Sequence, residues 1–81
     1  MRILNLDNDT KVDQVILYLT KDNAEELRDS IGCLLNDPKN NHAHIYSEDY
    51  NKEITVCIYD LEELDEYGFN KRSKKIILED K

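Results

Sequence analysis

Two histidines separated by a single residue are the side chains in the sequence best suited to chemistry. His42 and His44 lie in a stretch of β-type residues, so both rings are expected on the same face of a strand. Cys57 falls in the next such stretch, and two imidazoles with a thiolate are ligands that zinc accepts. Zinc sites also need groups that orient the ligands, and His-x-His pairs are common in strands without metal. We therefore predict no bound metal and no cofactor. A small metal-binding protein or metal-dependent enzyme that uses these three residues is the alternative.

Motifs of enzymes are missing from the rest of the sequence. With two glycines, the chain has no glycine-rich phosphate loop, and it has no serine-hydrolase or zinc-protease motif. The acidic stretch from Asp7 to Asp13 resembles the start of a calcium loop. However, Val12 stands where the turn glycine belongs, and Tyr18 replaces the bidentate glutamate. Cys33 is expected on a solvent-facing side of a helix. We predict that the protein is not an enzyme and has no catalytic residues.

Acidic residues dominate the charge of the chain, which has a formal net charge of −7. One group lies along a predicted helix over residues 21–36, and another fills five of the seven positions 60–66. Such surfaces attract basic proteins and repel nucleic acids and anionic membranes. Small acidic bacterial proteins that use this chemistry include immunity proteins, antitoxins and inhibitors; the alternative is ordinary charge on a solvated face. The residues predicted to bind a basic partner are Glu25, Asp29, Glu62, Glu63 and Glu66.

The chain of 81 residues is long enough for one domain, which we predict over residues 1–81. Its longest apolar run, Val15 to Leu19, is too short to span a bilayer. The first ten residues lack the order of charged, apolar and small residues that marks a secretion signal. The two cysteines form no CxxC motif and are expected to be reduced. These features predict a cytoplasmic location.

The pattern of apolar residues predicts an α+β fold in the order β-β-α-β-β-α-β. Residues 2–6 and 12–20 are expected to form a hairpin, and the histidine strand should pair with the strand EITVC that ends at Cys57. A short helix should start near Asp60 and end at Gly68. Residues 74–79 fit a strand or a helix; a helix would oppose its own dipole, which favours the strand.

The long helix of this fold is predicted over residues 21–36 and packs on one face of an antiparallel sheet. Thr20 is one candidate for its N-terminal cap, and a capping box formed by Asp22 is another. Pro38 ends the helix because proline cannot continue its hydrogen bonding. The apolar stripe expected to face the sheet consists of Ala24, Leu27, Ile31, Leu34 and Leu35.

The second face of the predicted sheet is too rich in rings to be plain solvated surface. One helix covers one face only, so another copy of the chain is expected to cover the other. We predict a homodimer. The residues of this predicted dimer face are Tyr18, His42, His44, Tyr46, Cys57 and Tyr59.

A run of motifs over residues 17–60 gives the chain a family resemblance. A Leu-Thr pair precedes an acidic helix, which is followed by the motifs LLxDP, HxH and EITVxIYD. In this it resembles a family of small bacterial proteins that has no assigned activity. The resemblance implies a compact bacterial cytosolic protein and supplies no catalytic residue.

Overall fold

The computed structural model describes residues 1–40 and 42–79, and within them it confirms the α+β class. These residues form two short antiparallel sheets and two helices. None of the helices in the described ranges is both long and apolar enough to cross a membrane. The elements in chain order are β1 (Leu4–Asn5), β2 (Thr10–Lys11), α1 (Lys21–Asn36), a 3-10 turn (Pro38–Asn40), β3 (His42–Tyr46), β4 (Glu53–Cys57), a second 3-10 turn (Leu64–Tyr67) and α2 (Lys71–Glu79).

The contacts of the chain group into two compact units. The first unit contains residues 1–17 and the described residues from Phe69 onward, and the second contains residues 18–68. This grouping does not test the prediction of one domain over residues 1–81, which stays a prediction.

Helix α1 begins and ends where the sequence predicts. The Thr20 hydroxyl accepts a hydrogen bond from the Asn23 amide at 3.1 Å, which pairs one of the backbone donors left open at a helix start. Thr20 is therefore the cap. At the other end, the Asp37 amide donates to the Cys33 carbonyl at 3.1 Å, and Pro38 begins the 3-10 turn. Local sequence signals alone thus define this helix.

Strands β3 and β4 form a regular antiparallel hairpin. The register places His42 opposite Cys57, His44 opposite Thr55 and Tyr46 opposite Glu53. Because side chains alternate along a strand, these six residues share one face of the hairpin. The other face is apolar and consists of Ala43, Ile45, Ile54 and Val56.

The core of the second unit lies where α1 packs against β3. Leu34 of the helix and Ile45 of the strand are each only 2% exposed. The 3-10 turn after β4 adds Leu64 and Tyr67, which are also buried. The apolar face of the hairpin thus packs against the helix, and the opposite face is left to the solvent.

The first sheet is much smaller than predicted. Leu4 pairs with Lys11 and Asn5 with Thr10, and the turn between them is held by the Asn8 side chain, which accepts from the Thr10 amide at 3.3 Å. The predicted single sheet is therefore wrong: the strands belong to two separate two-stranded sheets.

Residues 12–20 form no strand, although their side chains alternate as a strand requires. Ile16 is 74% exposed and Tyr18 is 91% exposed. Alternation identifies which residues would share a face, but a strand also needs a neighbour to accept its backbone hydrogen bonds. Val12 still donates to the Ile3 carbonyl at 3.0 Å, but no strand in the described part of the chain pairs with residues 13–20.

Residues 74–79 are helical and not a strand. The Asn70 side chain caps the start of α2 by accepting from the Ser73 amide at 2.8 Å. Near the other end, Arg2 Nε donates to the Ile77 carbonyl at 3.0 Å and places a cation beside the negative end of the helix dipole. These two contacts counter the unfavourable lysines in the first turn. The predicted order β-β-α-β-β-α-β therefore loses its last strand.

The short helix predicted after Asp60 is a single 3-10 turn, Leu64–Tyr67. Glu63 precedes it and makes no side-chain capping bond; its amide donates to the Asp60 carbonyl at 3.1 Å. Gly68 ends the turn as predicted, with φ of 72°, a left-handed conformation that glycine adopts without a Cβ clash. The start of this element was wrong and its end was right.

The face that α1 packs against the hairpin is narrower than its apolar stripe. Leu34 is buried and Leu27 and Ser30 are half-buried, whereas Ile31 is 40% and Leu35 is 66% exposed. A two-stranded hairpin is too small to cover the whole stripe of a helix. The apolar spacing therefore predicts the helix correctly and overstates how much of it is buried.

Candidate functional site

A groove of about 460 Å³ runs between helix α1 and strand β3. A second hollow of about 240 Å³ shares Asp22 and Glu26 with it and extends to Tyr46 and the loop after β3. The larger hollow meets β3 at His42 and Ala43, the smaller one meets Tyr46 and Ser47, and both lie beside one flank of the helix. The residues that line the larger hollow are Asp22, Glu25, Glu26, Asp29, Ser30, Cys33, Leu34, His42 and Ala43.

Helical spacing explains the acidic wall of this groove. Asp22, Glu26 and Asp29 follow each other at intervals of four and three residues, so they share one flank of α1. Leu27 and Leu34 lie on the neighbouring flank, which packs against the hairpin. Packing of the apolar flank therefore fixes where the carboxylates lie, directly beside β3.

Three of the carboxylates on the wall have no partner within the described residues. The side chains of Asp22, Glu25 and Glu26 make no hydrogen bond or ion pair there. Asp29 Oδ1 accepts from Arg28 Nε at 3.0 Å, but both side chains are well exposed, and such surface pairs are weak. The wall is therefore negatively charged and open to a cation.

The outer edge of β3 forms the second wall. The Ser47 amide donates to the Lys52 carbonyl at 2.9 Å, and pairs alternate from this point along an antiparallel ladder. Alternate residues of β3, including His44 and Tyr46, therefore direct their backbone groups away from β4. The Tyr46 carbonyl fits this direction, because it accepts from Asn23 Nδ2 of α1 at 3.2 Å.

This edge is unpaired in the described part of the chain. β4 is the one strand that pairs with β3 there, and no contact in these residues occupies the outward amide and carbonyl of His44. The sequence did not predict this open edge, because the pattern of β3 does not reveal how many neighbours it has. The acidic wall, in contrast, follows from the spacing of Asp22, Glu26 and Asp29.

Four rings form a row on the exposed face of the hairpin. His42 and His44 meet edge to face with centroids 4.7 Å apart, His44 and Tyr46 stack at 6.2 Å, and Tyr46 and Tyr50 are 5.7 Å apart. The structure thus brings together His42, His44, Tyr46 and Cys57 of the predicted dimer face.

Two further residues of the predicted dimer face lie outside this hairpin. Tyr18 belongs to the stretch that forms no strand, and Tyr59 follows the end of β4. Four of the six residues therefore share one face of the hairpin, and their role in a dimer stays a prediction.

His44 is held by a small polar cluster. Its Nδ1 lies 2.6 Å from Glu53 Oε1 and 3.0 Å from Thr55 Oγ1, and the Thr55 hydroxyl donates to Glu53 Oε1 at 2.9 Å. The Thr55 hydrogen bond, followed by the contact with His44, lowers the pKa of Glu53 below its ordinary value. The cluster thus keeps Glu53 ionised and fixes the orientation of the His44 ring.

The proposed metal ligands share a face without forming a metal-binding group. Among residues 1–40 and 42–79, no three His, Cys, Asp or Glu side chains are arranged to hold a metal ion. Partial burial raises the pKa of the Cys57 thiol above its ordinary value, although the residue as a whole is exposed, and this disfavours the thiolate that zinc binds. The geometry adds no support to the metal-binding alternative.

The second predicted acidic surface does not line the groove. Lys39 Nζ donates to Glu66 Oε2 at 2.9 Å, and this contact raises the pKa of Lys39. Glu62 and Glu63 lie in the loop before the 3-10 turn and are exposed. Of the five residues predicted to bind a partner, Glu25 and Asp29 alone line the larger hollow.

Comparison of the chain with known protein families, with curated proteins and with solved structures finds no match. The resemblance of residues 17–60 to a bacterial family stays a prediction. Support for a function comes from the charge of the groove and the open edge of β3.

Proposed function

We propose that the protein is a non-enzymatic interaction module that binds a basic segment of a partner protein in the groove between α1 and β3. The observation that carries this proposal is a wall formed by Asp22, Glu25 and Glu26, whose carboxylates have no partner within residues 1–40 and 42–79, beside a strand edge that is open in the same residues. A lysine or arginine side chain in this groove would gain a charge-assisted hydrogen bond without displacing an existing partner.

The charge of the whole chain supports the same partner. A net charge of −7 attracts a basic surface from a distance and speeds the encounter. The groove then supplies the local contacts. Immunity proteins, antitoxins and inhibitors of the bacterial cytoplasm are the class of protein that this chemistry fits.

Within the predicted acidic surfaces, we propose the groove and not the segment around Glu62 and Glu63. Glu66 of that segment already binds Lys39, and the segment borders neither of the two hollows. Glu25 and Asp29 therefore stay in the proposed site, and Asp22 and Glu26 join them.

The test is binding of a lysine-rich peptide to the full chain, measured by isothermal titration calorimetry. We expect Glu25→Lys combined with Glu26→Lys to weaken the affinity about tenfold or more, since each replaces an attraction by a repulsion. Glu62→Lys combined with Glu63→Lys is the matched control, because it changes the net charge equally outside the groove. Equal losses in the two double variants would contradict the proposal.

Salt provides a second measurement of the same binding. The affinity should fall between about 50 and about 300 mM salt, because the screening length shortens over this range. An affinity that does not change with salt would also contradict an electrostatic groove.

A homodimer through the hairpin face is a second candidate, favoured by the exposed row of rings from His42 to Tyr50. Light scattering should then give twice the mass of one chain, and Tyr46→Ser should restore the monomer. A monomer in the unmodified protein would remove this candidate and leave the groove unaffected.

A further inference from the structure

We propose that the basic segment docks as an extended strand that adds to the outer edge of β3. This inference rests on the function proposed above and specifies how the same groove recognises its partner. The main contacts are hydrogen bonds between the backbones of β3 and the docked segment. Selectivity for the partner comes from an alternating pattern of side chains in that segment.

The backbone of β3 provides the first argument. His44 directs its amide and carbonyl away from β4, and no described residue occupies them. Asn23 Nδ2 already donates to the Tyr46 carbonyl. The added strand would therefore form its hydrogen bonds with His44 and end before the loop. Peptides that add to a sheet edge obtain most of their affinity from such main-chain bonds.

The shape of the groove provides the second argument. One hollow meets β3 at His42 and Ala43, the other meets Tyr46 and Ser47, and Asp22 and Glu26 of the helix line both. Two hollows that lie near opposite ends of one strand and share a wall suit an extended segment better than a compact ligand.

The two faces of the hairpin then define the segment. Side chains of an added strand point alternately to the face covered by α1 and to the exposed face. The first set would meet the carboxylates of Asp22, Glu25 and Glu26, and the second would lie beside the rings of His44 and Tyr46. The expected segment therefore alternates lysine or arginine with aromatic or aliphatic residues.

Charge favours a partner protein over a second copy of this chain. Two copies joined through β3 would bring two acidic walls together, and like charges repel each other. The basic residues of the chain itself between Lys71 and Lys75 lie in helix α2 and are not extended. A strand from another protein, with the opposite charge, is the occupant that fits.

The first experiment uses a blocked peptide in which lysine alternates with valine. Two further peptides carry N-methyl groups on the lysine amides or on the valine amides, so charge and composition are kept. In a strand, these two sets of amides point to opposite sides. We expect one methylated peptide to bind about tenfold or more weakly and the other within about threefold of the parent, because methylation removes bonds on one side only.

The outcomes separate this inference from the proposed function. If the parent peptide binds in a salt-sensitive way and both methylated peptides bind equally well, strand addition is wrong and the electrostatic groove stands. If the parent peptide does not bind at all, both proposals fail. Unequal binding of the methylated pair supports strand addition.

The second experiment changes the protein. His44→Pro removes the outward amide but no bond of the β3–β4 ladder, because His44 occupies a pair that does not exchange hydrogen bonds with β4. His44→Val is the matched control, since it loses the imidazole and keeps the amide. We expect the proline variant to bind the peptide about tenfold more weakly than the valine variant, because both lose the imidazole and only the valine variant keeps the outward amide.

Retention of the hairpin is checked in both variants by the NMR signals of the Ile45 and Ile54 amides. If His44→Pro keeps these signals and still binds the peptide like His44→Val, strand addition is contradicted. A third outcome is that the unmodified protein binds no peptide but forms a homodimer, which His44→Pro dissociates. The strand edge would then bind a second copy of this chain, and the inference would be wrong.

Discussion

The β3–β4 hairpin and the stretch Val15 to Leu19 are both predicted as strands from their sequence but have very different structures. Polar and apolar side chains alternate in the hairpin, whereas the stretch is apolar throughout. Ile45 of β3 is 2% exposed, whereas Ile16 is 74% exposed. The comparison teaches that β propensity describes how well a residue fits a sheet, while a strand forms only where a partner is within reach.

The loop after β3 explains why the hairpin finds its partner. Asp49 accepts from the Ser47 hydroxyl at 2.6 Å and from the Asn51 amide at 3.0 Å, and Tyr50 adopts a φ of 59° that reverses the chain. Lys52 thereby returns beside Ser47. The stretch Val15 to Leu19 lies between β2 and α1, and no strand of the described residues pairs with it.

The largest effect on the free energy of unfolding is expected when a buried side chain of β3 is shortened. Ile45→Ala should lower the free energy of unfolding by about 2–5 kcal/mol, because it removes a buried side chain and leaves a cavity. Ile45→Val is the control and should cost about 0.5–1.5 kcal/mol. Chemical denaturation monitored by circular dichroism gives both values. A loss below about 1 kcal/mol for the alanine variant would mean that the core lies elsewhere.

Thr20 marks the point where the exposed stretch ends and the packed helix begins. Thr20→Ala should cost about 1 kcal/mol, because the Asn23 amide loses its capping oxygen. Its hydroxyl also lies 3.0 Å from Glu48 Oε1 in the loop of the hairpin. Thr20→Ser keeps the hydroxyl and is the control. Equal unfolding curves for the alanine variant and the parent would show that this cap does not contribute.

Acid should weaken the hairpin through Glu53. The stretch Val15 to Leu19 contains no carboxylate and should not respond in this way. The pKa of Glu53 is lowered by folding, so its contribution is complete above the ordinary value of 4.5 and is lost as the pH falls through the lowered value. NMR titration of the carboxyl carbon measures this. Thr55→Val should move the Glu53 pKa back up, since the Thr55 hydroxyl is the main cause of the shift. An unchanged pKa in that variant would contradict the assigned cause.

The smallest effects are expected in the exposed stretch. Ile16→Ser and Tyr18→Ser should each change the free energy of unfolding by less than about 0.5 kcal/mol, because neither side chain is buried. Denaturation at two protein concentrations is the measurement. A large loss that depends on concentration would show that this stretch pairs in an assembled state, and the contrast with β3 would then disappear.

The parts of the fold that depend on neighbouring residues in sequence were predictable. Helix α1 begins after Thr20 and ends before Pro38, as predicted. The spacing of His42 and His44 puts both on one face of β3. The acidic flank of α1 follows from the same kind of local spacing. These features need only the geometry of a helix or a strand.

The parts that depend on distant residues were not predictable from the pattern. Residues 74–79 are helical, and beside the local cap at Asn70 this helix has a contact from Arg2, far away in sequence, to the Ile77 carbonyl. The dipole of a helix is a weak effect, and these contacts outweigh it. The open edge of β3 belongs to the same category, since it depends on which strands are neighbours.

The open edge of β3 also bears on aggregation. Exposed strand edges are where copies of a protein most readily join into fibres, and charged residues beside such an edge hinder that growth. We expect replacement of Asp22 and Glu26 by Asn and Gln to shorten the lag before fibres form, followed by thioflavin fluorescence. An unchanged lag would show that β3 does not nucleate fibres. If the lag shortens as expected, the carboxylates that attract a basic partner also keep copies of this chain apart in concentrated solution.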